Sequence, residues 1–409
     1  MSSVALTKFR TATSATGPFK NKRIESIDLL RGIVMVIMAL DHVRDYFHKD
    51  VFLYDPTDLN HTSVFLFFTR WITHFCAPVF VFLAGISAYL FGAKKSRREL
   101  ASYLLTRGIW LVFVELFIIV LGRSFNPSYP YCNLQVIWAI GVSMIVLSAL
   151  IYMKRRLIPV TAILLITAHN LLDNVHIPGT GAGAFCWAIL HEPKVFVYGH
   201  FTIFVQYPVL PWIGIMAMGY CLGSLYGSRY DAKKRRKALF LLGLAAIALF
   251  FFLRFFDIYG DAADWSLQKN SAFSLLSFLN VTKYPPSLLY TLMTLGPAMI
   301  FLALAEKPLN AFTKKIAVFG RVPFFYYVVH IYLIHLLAMI GAVISGYSLS
   351  DMILTTKVYL APQLKGYGFN LLTVYLVWIG LVLLLYPFCK WFDRYKRTHQ
   401  SSRKWLTYF

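Results

Sequence analysis

The chain has 409 residues, of which 58% are hydrophobic, 17% aromatic and only 14% charged, and 40 Lys and Arg against 18 Asp and Glu leave a formal net charge of +22. Soluble domains average about 45–50% apolar and about 25% charged residues, so a soluble globular domain is excluded; the apolar surplus lies in runs of about 18 residues or more, long enough to span a bilayer. The basic residues stand at the ends of those runs, where they orient spans in a membrane, so the charge is not read as a nucleic-acid surface and no nucleic-acid partner is expected.

Residues 1–24 carry Lys8, Arg10, Lys20, Lys22 and Arg23 without an apolar core. That argues against a cleaved secretory signal and reads as a disordered basic cytoplasmic tail, with a transit peptide as the weaker alternative. About ten spans follow, over 28–48, 72–92, 102–122, 133–153, 156–172, 203–226, 238–256, 286–305, 316–344 and 370–389. The expected fold is all-α: a polytopic helical bundle forming one transmembrane domain over 25–390, with a basic tail over 391–409. Basic connections (Lys94 to Arg98, Lys154 to Arg156, Lys233 to Lys237, Lys314 and Lys315) alternate with connections holding Asp50, Asp55 and Asp58, then Asp173, Asp257 and Asp351. Positive-inside orientation then places both termini in the cytoplasm. The two long outer loops, 173–202 and 257–285, are rich in Gly, Pro, His and aromatics and are read as a cover or an acceptor platform. The five cysteines show no zinc spacing and are expected as free thiols, Cys132 and Cys186 sharing one compartment.

The first span holds the densest chemistry. Asp28-Leu29-Leu30-Arg31-Gly32 leads through Ile33 to Leu40 into Asp41-His42 and then Asp45. Charges at membrane depth cost roughly 2.5–3.5 kcal/mol each on insertion scales and mark pathways or reaction centres. At about 100° per residue, Arg31 and His42 share a stripe and lie about 16 Å apart along the axis. Asp28 and Asp45 sit about one turn beyond either end of that stripe, and Asp41 points about 100° away. Asp45 is the carboxylate expected to orient His42 as a general base. In the ninth span, Gly320-Arg321-Val322-Pro323 precedes His330 and His335, and His330 reaches the depth of His42, which suggests a shared cavity.

Asp58, His61, Arg70 and His74 cluster at the outer end of the second span, and Lys283-Tyr284-Pro285-Pro286-Ser287 opens the eighth with a kink. No HxxxH or HExxH spacing links His42, His48, His61 and His74, so no metal is expected. His169, His176, His191 and His200 are loop or loop-edge residues without a spacing signal. Arg107 and Glu115, eight residues apart on one face, are expected to pair structurally. The chain lacks GxSxG, P-loop and dinucleotide fingerprints. On these grounds alone, Arg31, Asp41, His42 and Asp45 suit a proton-coupled secondary transporter of a small solute as well as an enzyme.

The Arg31-to-His42 pattern resembles the motif of the transmembrane acyltransferase superfamily. Ser26 to Gly32, continued by Pro78-Val79-Phe80-Val81-Phe82-Leu83-Ala84-Gly85, is similar to the catalytic domain of heparan-alpha-glucosaminide N-acetyltransferase and its bacterial relatives, and similar stretches recur at Tyr207–Gly223, Lys283–Pro297 and Gly320–His335. The resemblance implies transfer of an acetyl group from cytoplasmic acetyl-CoA, a co-substrate, to a sugar amine or hydroxyl across the bilayer. It implies residence in a bacterial cytoplasmic membrane, with a homodimer as the first expectation for assembly. The animal enzyme has Asn at the place of His42, and its active histidine aligns with His61; His330 resembles a histidine of its late span. The resulting expectation is His42, Asp45, His330 and His61 as catalytic residues. Arg31, Asp28 and Arg321 are expected to hold coenzyme A, and Asp41, His74 and Lys283 the acceptor.

Overall fold

The computed structural model describes residues 24–227, 230–399 and 402–407. The expected tail over 1–24 therefore lies, up to residue 23, outside the described residues. The chain opens with α1 (Glu25–Phe47), α2 (Val64–Trp71) and α3 (Cys76–Gly92). Helix α4 (Arg97–Phe113) continues through a π-helical segment, Val114–Ile119, into α5 (Val120–Ser124). Then come α6 (Val136–Leu150), α7 (Leu157–Thr167), α8 (Ala182–Leu190), α9 (Leu210–Leu222), α10 (Ala232–Phe256) and α11 (Ser271–Leu279). The last four are α12 (Leu288–Leu304), α13 (Ala311–Arg321), α14 (Pro323–Ile344) and α15 (Leu371–His399). Among the described residues, five stretches are long and apolar enough to cross a membrane: Val64–Gly92, Arg97–Ser124, Ala232–Phe256, Pro323–Ile344 and Leu371–His399. Shorter apolar helices cover Val136–Leu150, Leu157–Thr167, Leu210–Tyr226 and Leu288–Leu304.

Helix α1 is the hub, packed on α3, α13, α14 and α15. Its burial follows from its sequence, because a helix carrying Asp28, Arg31, Asp41, Arg44 and Asp45 must turn them toward protein rather than lipid. Lipid tails supply no hydrophobic drive for helix pairing, so small residues that allow close approach decide which helices meet. Gly32 and Gly320 do this for α1 and α13: a Cβ on Gly320 would stand 1.8 Å from the Asp28 carbonyl oxygen, and one on Gly32 would stand 2.2 Å from that of Ile316. Gly85 and Gly219 do the same for α3 and α9, each facing a partner carbonyl at 2.1 Å.

Several expectations are corrected. The all-α class holds in the main but gains a three-stranded sheet of β1 (Tyr131–Leu134), β2 (Lys194–Tyr198) and β3 (Phe201–Val205), ordered β1-β3-β2. Strand β3 pairs parallel with β1 and antiparallel with β2. The outer ends of the fourth and sixth spans are thus strands, and their helices begin at Val136 and Leu210. Val195-Phe196-Val197-Tyr198 has the β-branched and aromatic composition of a strand, and Gly199, at φ 59°, supplies the left-handed turn into β3. The ninth span is two helices, broken at Val322 because Pro323 has no N–H to continue α13 and instead opens α14. The C-terminal tail is helical to His399 as the end of α15, and the loop 257–285 contains α11, capped by the Asn270 side chain on Phe273 N–H.

Gly320→Ala is expected to push α1 from α13 and destabilise the detergent-solubilised protein by roughly 1–3 kcal/mol. Gly380→Ala, which meets nothing within 4 Å, is the control and is expected to change stability by less than about 1 kcal/mol in either direction. Thermal unfolding of the two variants beside the parent checks this.

Candidate active site

The site forms where α1 and α14 face each other. His42 Nδ1 and His330 Nε2 lie 2.8 Å apart, and the rings stack at 5.0 Å. His330 Nδ1 is 2.9 Å from the Tyr326 carbonyl one turn back on α14. A carbonyl only accepts, so Nδ1 of His330 carries the proton and Nε2 of the neutral ring is an acceptor. His42 must then donate from Nδ1, which makes Nε2 its acceptor nitrogen, engaged here by a long hydrogen bond from the Arg123 guanidinium. Arg123 NH2 approaches that nitrogen at 3.4 Å. A backbone carbonyl thus fixes the tautomer of a histidine on another helix, which is what a positioned base needs.

The expectation that Asp45 orients His42 is corrected: His330 fills that role, and Asp45 is taken by Arg44 at 2.6 Å. Arg44 NH2 also reaches Asp41 at 2.8 Å, three residues back on the same face. Arg70 NH1 meets both Asp41 oxygens at 3.0 Å, and Thr73 Oγ1 donates to Asp41 at 2.9 Å. Both carboxylates are therefore neutralised by arginines, which is how charges persist in an apolar interior.

Two cavities flank the histidines. The outer one, about 410 Å³, is lined by Asp41, His42, Arg44, Asp45, Arg70, Arg123, Lys283 and Lys357, with Tyr54, Tyr207, Tyr284, Tyr359, Asn133, Gln135 and Gln206. The inner one, about 350 Å³, is lined by Arg31, Arg107, Arg321 and Lys396 among apolar residues including Met35, Ile140, Met144 and Phe324. Met38, Phe80 and Val136 line both and so form the wall between them. Tyr327, which lines the inner cavity, packs on His42 at 6.2 Å and on His330 at 5.5 Å between ring centroids. His42 thus borders the outer cavity, and Tyr327 stands between the inner cavity and the histidine pair.

The predicted residues divide accordingly. His42, Asp41, Asp45 and Lys283 line the outer cavity, and Arg31 and Arg321 the inner one. Arg31 NH2 donates to Ser87 Oγ at 2.9 Å, and Asp28 stands 3.6 Å from its guanidinium. Arg321 Nε donates to Asp393 on α15 at 2.8 Å. His61 stands apart from the pair: its exposed ring is 2.6 Å from Asp58 and stacks on Tyr54 at the cavity rim. His74 is buried behind the cavity wall, where its carbonyl accepts from Tyr290 Oη at 2.7 Å. His335 hydrogen-bonds the Gly122 and Met352 carbonyls and serves structure. Glu115 Oε2 accepts from the N–H groups of Ile137 and Trp138.

Arg44, Arg123, Tyr327 and Lys357 join the site beyond the residues expected from sequence. Arg44 was legible as a cation one turn from Asp41, and Arg123 as a cation ending a span. Lys357 comes from the connection between α14 and α15 and carries no sequence signal. Its Nζ donates to Gln206 at 2.9 Å and lies 4.4 Å from the Phe204 ring centroid.

Fold and site together define a polytopic helical membrane protein whose paired histidines adjoin an outer cavity through His42 and an inner one through Tyr327. Residues 23–256, more than half of the chain, match the family described as heparan-alpha-glucosaminide N-acetyltransferase, catalytic, and the chain belongs to that family. It is a membrane acetyltransferase by that membership. Comparison with curated proteins gives no match. The matched segment contains His42 and Arg123 and ends before α14, so His330 joins the site through the structure.

Burial pushes the Lys357 ammonium down from 10.5 to about 7. Below about pH 7 the amine is protonated both folded and unfolded, and the folded state carries the burial penalty. Between about 7 and 10.5 only the unfolded chain holds the proton, so this group adds stability as pH rises through that window. Lys357→Met is therefore expected to melt above wild type at pH 6.5, with the gap closing toward pH 9.5. Thermal unfolding at the two pH values tests it.

Proposed function

We propose that the protein transfers an acetyl group from cytoplasmic acetyl-CoA to an amine or hydroxyl of a sugar presented on the extracytoplasmic side. The observation that supports this reading is the wall of Met38, Phe80 and Val136 shared by the two cavities, with His42 beside it. In this reading the five long apolar stretches, the four shorter helices and α1 make ten spans. Both termini are then cytoplasmic, in a bacterial inner membrane, and the inner cavity opens on the side of the basic connections.

Arg31, Arg107, Arg321 and Lys396 suit the phosphates of coenzyme A, and the apolar lining suits its pantetheine arm. The tyrosines and amides of the outer cavity suit a sugar, giving flat faces for stacking and groups that donate and accept. His42 Nε2 takes the proton of the acceptor amine or hydroxyl while that nitrogen or oxygen bonds to the thioester carbonyl carbon. His330 Nε2 holds the Nδ1 proton of the imidazolium that forms. Arg123, 3.4 Å from His42 Nε2, faces the oxyanion of the tetrahedral intermediate. The C–S bond then breaks, and His42 returns its proton to the departing sulfur.

Purified protein in nanodiscs, supplied with acetyl-CoA and amino-sugar acceptors, is expected to release coenzyme A thiol. His42→Ala is expected to lose about 10²–10⁴-fold in kcat, as for loss of a general base. Asp45→Asn, which leaves the histidine pair intact, is expected to lose less than about 10-fold. Arg321→Ala is expected to raise KM for acetyl-CoA more than it lowers kcat. Full activity in folded His42→Ala would remove His42 from the centre of the reaction. Absence of thiol release and of acetyl-CoA binding, with solute flux into vesicles, would favour a transporter.

A further inference from the structure

Helix α7 runs into a short 3-10 turn, His169–Leu172, which places His169 and Asp173 four residues apart at its two ends. The chain returns to this point at His191, directly after α8. One donor atom from each of the three residues lies within 4.8 Å of the others. His191 Nε2 is 3.2 Å from Asp173 Oδ1, and the two imidazole rings stand edge to face at 5.5 Å. Both histidines are 3% exposed.

The hydrogen bonding around the cluster is unfinished. Nδ1 of His191 has no hydrogen-bond partner among the described residues, and the His169 ring has only the Pro286 carbonyl beside it, so at least one of its two nitrogens is unpartnered as well. Buried polar nitrogens are almost always satisfied, and orphans on two neighbouring imidazoles call for an explanation. The surroundings resemble a metal site's outer shell. Asn170 Nδ2 donates to Asp173 Oδ2 at 2.8 Å, leaving Oδ1 turned to His191. The Pro286 carbonyl lies beside the His169 ring, where it can accept the proton of whichever nitrogen faces away from the cluster. Ligating histidines and carboxylates are ordinarily held by such contacts.

We propose that His169, Asp173 and His191 bind one zinc ion. Two imidazoles and a carboxylate are ordinary zinc ligands, and bonds of about 2.0–2.2 Å in a tetrahedron give edges of about 3.4 Å. The Asp173–His191 edge, at 3.2 Å, is close to that length, and closure of the His169 ring from within 4.8 Å completes the triangle. Asp173 also borders a cavity of about 210 Å³ that holds Asp257, Asp261 and Asp264 with Arg254, which stands 3.5 Å from Asp257; the lining stays net acidic, an approach for a cation that leaves the fourth position to water. The ion clamps the end of α7 to the segment leading into β2. Strand β3, paired with β2, runs directly into Gln206 and Tyr207 of the outer cavity. The metal thereby stiffens the cover over that cavity and takes no part in proton transfer at His42.

The test uses the full chain, stripped with chelator and titrated with Zn²⁺ or Co²⁺. The expected result is one zinc per chain by elemental analysis, a higher melting temperature with zinc, and the strong visible d–d bands of four-coordinate Co²⁺. His169→Ala and His191→Ala are expected to weaken binding by at least about 100-fold, while His200→Ala, an exposed control, keeps the full stoichiometry. Asp173→Asn serves as the milder variant should a histidine variant misfold, and is expected to weaken binding in the same direction. Wild type that takes up no zinc and gives no four-coordinate Co²⁺ spectrum overturns the site, as does full stoichiometry in folded His169→Ala.

Discussion

The hydrogen bond between His42 and His330 organises this molecule. It joins the first and fourteenth helices, it buries two ring nitrogens that would otherwise lack partners in an apolar interior, and it selects one tautomer. Its direction is set by the Tyr326 carbonyl, a group that cannot change its role. The reactive nitrogen of α1 therefore depends on the backbone of α14, and any relative shift of these two helices alters chemistry before it alters fold. That dependence accounts for the tight seating of α1 against α13, which immediately precedes α14. Gly32 and Gly320 leave no room for a methyl group at the crossing, so the axis that carries His42 is held against the segment that carries His330.

The same helix shows how ionisable groups survive within a bundle. Asp41 and Asp45 are balanced by Arg44 and Arg70, and the histidine pair is left outside that ion network. Had Asp45 contacted His42, the pair would have been a carboxylate–imidazole couple. The actual couple is imidazole on imidazole, with the charge that develops on protonation shared over two rings and bounded by Arg123.

Much of the site was legible in sequence because helical geometry is regular. The stripe joining Arg31 to His42 and the matching depth of His330 both follow from rise and angle per residue, and the two histidines do meet. What escaped were competitions between neighbours. Arg44 outcompetes His42 for Asp45 because it is adjacent and permanently charged, a contest that spacing alone does not decide. His61 and His74 fall near the outer end of α3 in sequence, yet one faces outward at the cavity rim and the other lies behind its wall. Strands β1 and β3 overlap the starts of the expected spans 133–153 and 203–226, since period-2 alternation in a short aromatic stretch is hard to tell from the end of a span, while β2 falls in the stretch read as outer loop. His169, Asp173 and His191 have no recognisable spacing, because seventeen residues of loop and helix separate the last two.

The outer cavity has one more property. Its walls carry Asp41, Asp45 and Asp55 against Arg44, Arg70, Arg123, Lys283 and Lys357. Counting formal charges, five positive against three negative leaves an excess of two, falling to one once Lys357 is neutral. The resulting potential draws in acidic molecules and repels ammonium ions. An amine reaching His42 is therefore favoured once it has shed its proton, and a uronate- or phosphate-bearing partner would be steered inward from bulk solvent, with a pull that weakens as salt is raised.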